Sequence, residues 1–162
     1  MNATVPSGPA HGRGTKDIGR SPVRLAALLC GFVFLVVGVA GFVPGVTTNF
    51  DSIGIAARSE AMLLGIFQVS ALHNVIHLLY GFAGLTLSRL SGTARLYLLV
   101  GGIIYAVLWI YGIVIDKDST ANFVPLNTAD DWLHFVLALT MIGLSVLPRH
   151  AAPTAAEADR RP

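Results

Sequence analysis

Residues 71 to 77 read Ala71-Leu72-His73-Asn74-Val75-Ile76-His77, inside an uncharged run of 28 residues from Ala61 to Ser88. Charged side chains in the middle of a lipid-spanning helix cost about 2.5–3.5 kcal/mol on insertion scales, so polar groups at that depth turn toward protein or a water-filled cavity. Plotted at about 100° per residue, Ser70, His73, Asn74, His77, Gly81, Gly84 and Ser88 lie on one side. Leu72, Val75, Ile76, Leu79 and Phe82 lie on the other, and Gln68 is an exception near that apolar side. Small residues let helices approach closely and polar ones hydrogen-bond across the gap. The stripe is therefore expected to face the interior of a helical bundle.

Three further runs accompany it. Leu25 to Val43 is uncharged over 19 residues, Leu96 to Ile115 over 20 and Trp132 to Leu147 over 16. The chain of 162 residues is 54% hydrophobic and 12% charged, where a soluble domain carries roughly 25% charged residues. A membrane span needs about 20 largely apolar residues, within a range of roughly 17–25. Helices are the natural form of such runs, because backbone groups in lipid must be satisfied internally. The sequence predicts an all-α, integral membrane four-helix bundle with helices over about 24–43, 60–88, 95–115 and 129–147. This unit, residues 23–147, is expected to lie between disordered tails at 1–22 and 148–162, which are rich in small and polar residues and lack the apolar residues of a core. The first run is longer than a signal-peptide core of roughly 7–15 residues and lacks a clear cleavage site, so it reads as a retained helix.

Basic residues set the orientation. Arg13, Lys16, Arg20, Arg24, Arg89, Arg95, Arg149, Arg160 and Arg161 fall on one side of an up-down antiparallel bundle, and only Arg58 and Lys117 on the other. Both termini are then cytoplasmic, with the protein in a bacterial plasma membrane. The basic residues are dispersed, so nucleic acid is not an expected partner. The bilayer is, and glycines along the first helix allow a homo-oligomer or a membrane-protein partner. The lone Cys30 reads as a packing residue.

Two candidate sites emerge. An interior one comprises Ser70, His73, Asn74 and His77, with Tyr105 and His134 on the matching faces of the third and fourth helices. An outer one comprises Asn127, Thr128, Asp130, Asp131 and Trp132, where Thr128 and Asp131 fit a capping box and Trp132 an interfacial aromatic. The histidines admit several readings. They can be structural, hydrogen-bonded to Tyr105, a serine or a carbonyl and setting helix register. His73 and His77, four apart on one helix face, can hold a divalent metal or haem, with His134 as a third ligand. Depth opposes that. In a helix beginning after Ser59, His73 lies about 21 Å in and His134 about 9 Å, at about 1.5 Å per residue. A proton or small-solute path and a lipid or quinone site in the outer cleft are the remaining readings. No pattern nominates a nucleophile. A non-enzymatic membrane protein without a cofactor is the leading expectation.

Several runs together resemble domain-of-unknown-function family 4383. They are Ser59-Glu60-Ala61, Leu64 through Ser70, His73-Asn74-Val75-Ile76-His77-Leu78, Trp109-Ile110-Tyr111-Gly112 and Ala121 through His134. The likeness covers about residues 23–147. It implies a small four-helix membrane protein of an actinobacterial kind, and implies no activity, cofactor or catalytic residue.

Overall fold

The computed structural model describes residues 21–149, so the expected tails at 1–20 and 150–162 lie outside the described residues. Four helices and one small sheet follow in the order α1 (Pro22–Ala40), β1 (Thr47–Thr48), β2 (Met62–Leu63), β3 (Phe67–Gln68), α2 (Ala71–Leu87), α3 (Ser91–Val114) and α4 (Thr128–Ser145). Pro22 stands in the first turn of α1, where its missing N–H leaves no bond unmade. The helices alternate in direction. At one end the start of α1, the α2–α3 turn and the end of α4 meet, and the hydroxyls of Ser21 and Ser91 both donate to the Arg149 carbonyl at 2.9 Å.

The packing forms two close pairs, α1 with α2 and α3 with α4. In the first pair a Cβ on Gly31 would lie 2.8 Å from the Gly81 carbonyl, and one on Gly81 would lie 2.7 Å from the Gly31 carbonyl. Only glycine permits backbones that close. The glycines that suggested self-association along α1 are thus turned toward α2, Gly31, Gly38 and Gly41 alike. The main core, which includes Val23, Ala27, Phe34, Leu98, Tyr105 and Met141, fills the space between the pairs.

The expected helix over 60–88 is shorter than its uncharged run. Residues 62–68 form a hairpin instead, and the architecture is four helices plus a three-stranded antiparallel sheet of order β1-β2-β3. Two local features account for the difference. Leu64 and Gly65 take φ of 55° and 70°, a left-handed turn that glycine makes without steric cost. Ser70 then caps α2, its Oγ accepting from the His73 N–H at 3.2 Å. The hairpin folds back as a roof over the bundle end, burying Ala61, Leu63 and Val69 against Val37, Ala40 and Ile53.

The capping box of α4 is likewise one residue earlier than Thr128 and Asp131. Asn127 Oδ1 accepts the Asp130 N–H at 3.0 Å, and Asp130 Oδ2 accepts the Asn127 N–H at 2.9 Å. The chain enters α4 through a loop that Asn122 pins, with its amide bonded to Lys117 and Leu126.

Two helices, α1 and α3, are long and apolar enough to cross a membrane. The shorter α2, of 17 residues, is apolar as well.

Candidate functional site

The polar stripe of α2 faces inward: Ser70, Asn74, Gly81, Gly84 and Ser88 are buried, whereas Leu72, Val75, Ile76, Leu79 and Phe82 are exposed. His73 and His77 lie at its edge, half-buried. Their rings stack at 4.3 Å between centroids with 11° between planes, and His77 Nδ1 lies 3.0 Å from the His73 carbonyl.

With α2 starting at Ala71, the histidines sit at different relative depths from those a helix beginning after Ser59 implies. The cap ends of α2 and α4 lie at the same end of the bundle, so the two helices run parallel. His77 and His134 are each the seventh residue of their helices, hence at the same depth. The offset of about 12 Å between His73 and His134 that a helix beginning after Ser59 implies shrinks to four residues in the opposite sense, about 6 Å, because the residues before Ser70 belong to the roof.

Two cavities adjoin this level. One, of about 270 Å³, lies between α2, α3 and α4, with His73, His77, Tyr80, Tyr105 and His134 among its walls and Val124 of the α3–α4 loop beside them. The other, of about 210 Å³, lies under the roof, bounded by Leu63, Phe67 and Val69 as well as by Asp130 and the same three histidines. The imidazoles therefore form the partition between the two spaces. His134 is 3% exposed, and its Nδ1 is buried without a hydrogen-bond partner among the described residues. Its ring lies 5.3 Å from that of Tyr105, and Tyr105 in turn stacks on Phe34 at 5.6 Å.

Four of the six interior residues thus converge: His73, His77, Tyr105 and His134. Ser70 serves as the cap of α2. Asn74 points toward α1, with its amide packed against Gly41 and Nδ2 left unpartnered. Tyr80 was missed by the sequence argument although it follows His77 by three positions and so stands on the same side of α2. Its hydroxyl donates to the Tyr97 carbonyl at 3.0 Å. Among the described residues, no group of three His, Cys, Asp or Glu side chains is arranged to hold a metal ion.

The outer residues do structural work. Asp130 Oδ2 also accepts the Gln68 N–H at 3.0 Å, and Asn127 Nδ2 donates to the Ile66 carbonyl at 2.8 Å, so the cap of α4 holds the hairpin. Asp131 is buried rather than part of a solvated rim, and both its oxygens lie 2.8 Å from Lys117 Nζ. Lys117 also donates to the Gly112 carbonyl at 2.7 Å. Thr128 and Trp132 are exposed, and the Trp132 ring meets Phe135 edge-on.

A separate polar cleft of about 360 Å³ lies between the two loop regions of the roofed end, lined by Arg58, Glu60, Gln68, Lys117 and Asp118 among others.

No curated protein and no solved structure matches the chain. One family model does, across residues 24–147, the span that contains α1 from its third residue onward, the other three helices, the hairpin and the residues lining both cavities. The chain belongs to the family described as Domain of unknown function (DUF4383).

Proposed function

We propose that this chain is a non-enzymatic, four-span membrane protein with both termini cytoplasmic, and that its central cavity binds a small, mostly apolar ligand carrying hydrogen-bonding groups. An apolar exterior supports the membrane reading. Phe32, Val33, Leu79, Phe82, Val107, Ile113 and Leu139 are all more than half exposed, which is a liability in water and an advantage in lipid. The 17 residues of α2 and 18 of α4 span about 26–27 Å at about 1.5 Å per residue, slightly less than a hydrocarbon core of about 30 Å. Exposed Ile55, Leu64 and Ile66 of the roof extend the apolar belt at that end. Arg24, Arg89, Arg95 and Arg149 gather at the end with the termini, as the positive-inside rule requires.

One observation carries the binding reading: His134 Nδ1 lacks a partner in the wall of a cavity that is otherwise mainly apolar and aromatic. Buried polar atoms are nearly always satisfied, and a concave apolar site with a few convergent polar groups is the usual form of a small-molecule site. Alanine at both His73 and His77 is expected to impair ligand retention or folding in detergent. A double variant matching the parent in both respects removes the reading.

Topology is tested separately. In a Cys30→Ser background, Thr93→Cys in the first turn of α3 should be shielded from an impermeant maleimide added to intact cells, and Thr120→Cys should react. The reverse pattern overturns the orientation. The metal or haem alternative is tested by the visible spectrum and metal content of the purified protein. A colourless, metal-free, folded preparation discards it.

A further inference from the structure

We propose that the cavity between α2, α3 and α4 receives the ring of a quinone or quinol dissolved in the bilayer, which passes in sideways between Ile76 and Ile104. The inference rests on the binding reading above and names its ligand class.

Shape comes first. The stacked imidazoles of His73 and His77 form a flat slab, and Tyr80 and Tyr105 supply further aromatic surface to the same space. Planar rings pack on such surfaces in offset or edge-on arrangements. The volume, about 270 Å³, suits a substituted ring, since an apolar cavity of about 150 Å³ takes up benzene. It leaves no room for a long chain, so a tail has to stay outside.

Charge excludes other amphiphiles. Among the described residues, no Asp, Glu, Lys or Arg lines this cavity. A ligand that buried a carboxylate, phosphate or ammonium group here would lose its hydration without gaining a counter-ion. The ring must be neutral.

Polarity then selects oxygen on that ring. His134 Nδ1 has no hydrogen-bond partner among the described residues. A neutral imidazole nitrogen donates in one tautomer and accepts in the other. Turned by its side-chain torsions into the cavity that His134 helps to line, the same atom can therefore meet a quinone carbonyl or a quinol hydroxyl. Binding alone is inferred, with no electron-transfer step.

Access follows from the two isoleucines. Ile76 and Ile104 line the cavity yet are 52% and 47% exposed on the apolar exterior. One layer of side chains separates the cavity from the surroundings at that point, and α2 and α3 pack together far less closely than either pairs with its own partner.

The full chain in phosphatidylcholine nanodiscs can be titrated with decylubiquinone and with 1-decanol, which has a comparable tail and no ring. Empty nanodiscs provide the partition baseline. Quenching of Trp109 and Trp132 and calorimetry serve as readouts. Decylubiquinone should saturate at one per chain, with 1-decanol at least ten-fold weaker. His134→Phe should weaken the quinone at least ten-fold, and Ile104→Trp should slow its association. Should His134→Phe not fold, Tyr105→Phe, which removes only a hydroxyl, should still weaken binding at least three-fold. Equal binding of both compounds, or quinone binding that neither ring variant alters, overturns the quinone assignment and leaves the apolar-ligand reading standing. Saturable binding of neither compound overturns both.

Discussion

Asp130 and Gln68 stand 62 positions apart, yet a carboxylate oxygen of the first accepts the backbone N–H of the second at 3.0 Å. The same oxygen closes the capping box of α4 by accepting from Asn127. One buried side chain thus ties the start of the last helix to the edge of the hairpin roof, and the roof bounds the smaller cavity. Asp130→Ala leaves the Gln68 and Asn127 N–H groups without their acceptor and so opens one half of the capping box. It should destabilise the protein by about 1–3 kcal/mol, read as a lowered thermal midpoint in detergent. Asp130→Asn keeps an acceptor oxygen and should lose less. Equal effects from the two substitutions would contradict this account.

Lys117 and Asp131 form the ion pair of the α3–α4 loop, with side-chain exposures of 30% and 7%. Lys117→Met strands a nearly buried carboxylate. Fully buried pairs lose about 3–5 kcal/mol on such a change. Because Lys117 is partly solvated, a loss of about 1–3 kcal/mol is expected here. Lys117→Met combined with Asp131→Asn should be less damaging than Lys117→Met alone, and a denaturation series on the three variants and the parent measures it.

The α1–α2 contact yields a contrasting pair. Gly81→Ala places a methyl 2.7 Å from the Gly31 carbonyl and should cost about 1–3 kcal/mol by overpacking. Asn74→Ala, in the same seam, removes an amide nitrogen that already lacks a partner. It should cost less than Gly81→Ala, because it sacrifices no hydrogen bond of that nitrogen. Thermal midpoints of the two variants compare them directly, and a larger loss for Asn74→Ala would show that its amide has a partner in solution.

Much of the architecture was legible in the chain. Uncharged runs located four helices, because a helix with apolar sides all round needs no charge to be satisfied. The spacing of Ser70, Asn74, Gly81, Gly84 and Ser88 identified the inward face of α2, since helical periodicity alone determines which residues share a side. His134, Ala138, Met141 and Ser145 of α4 are buried by the same logic. The family likeness was likewise carried by local runs, above all Ala121 through His134.

Hydropathy could not divide the run from Ala61 to Ser88, because an apolar hairpin and an apolar helix share a composition. Only tertiary packing decided it, by giving Ala61, Leu63 and Val69 a surface to cover and by using Ser70 as a cap. That decision moved His73 from mid-helix to the first turn of α2 and brought His77 level with His134. The cavities follow from it, since their walls come from α2, α3, α4 and the roof, segments far apart in the chain. Sequence spacing reports neighbours along one helix, whereas a cavity depends on the distances between helices, which the packing of the whole bundle sets.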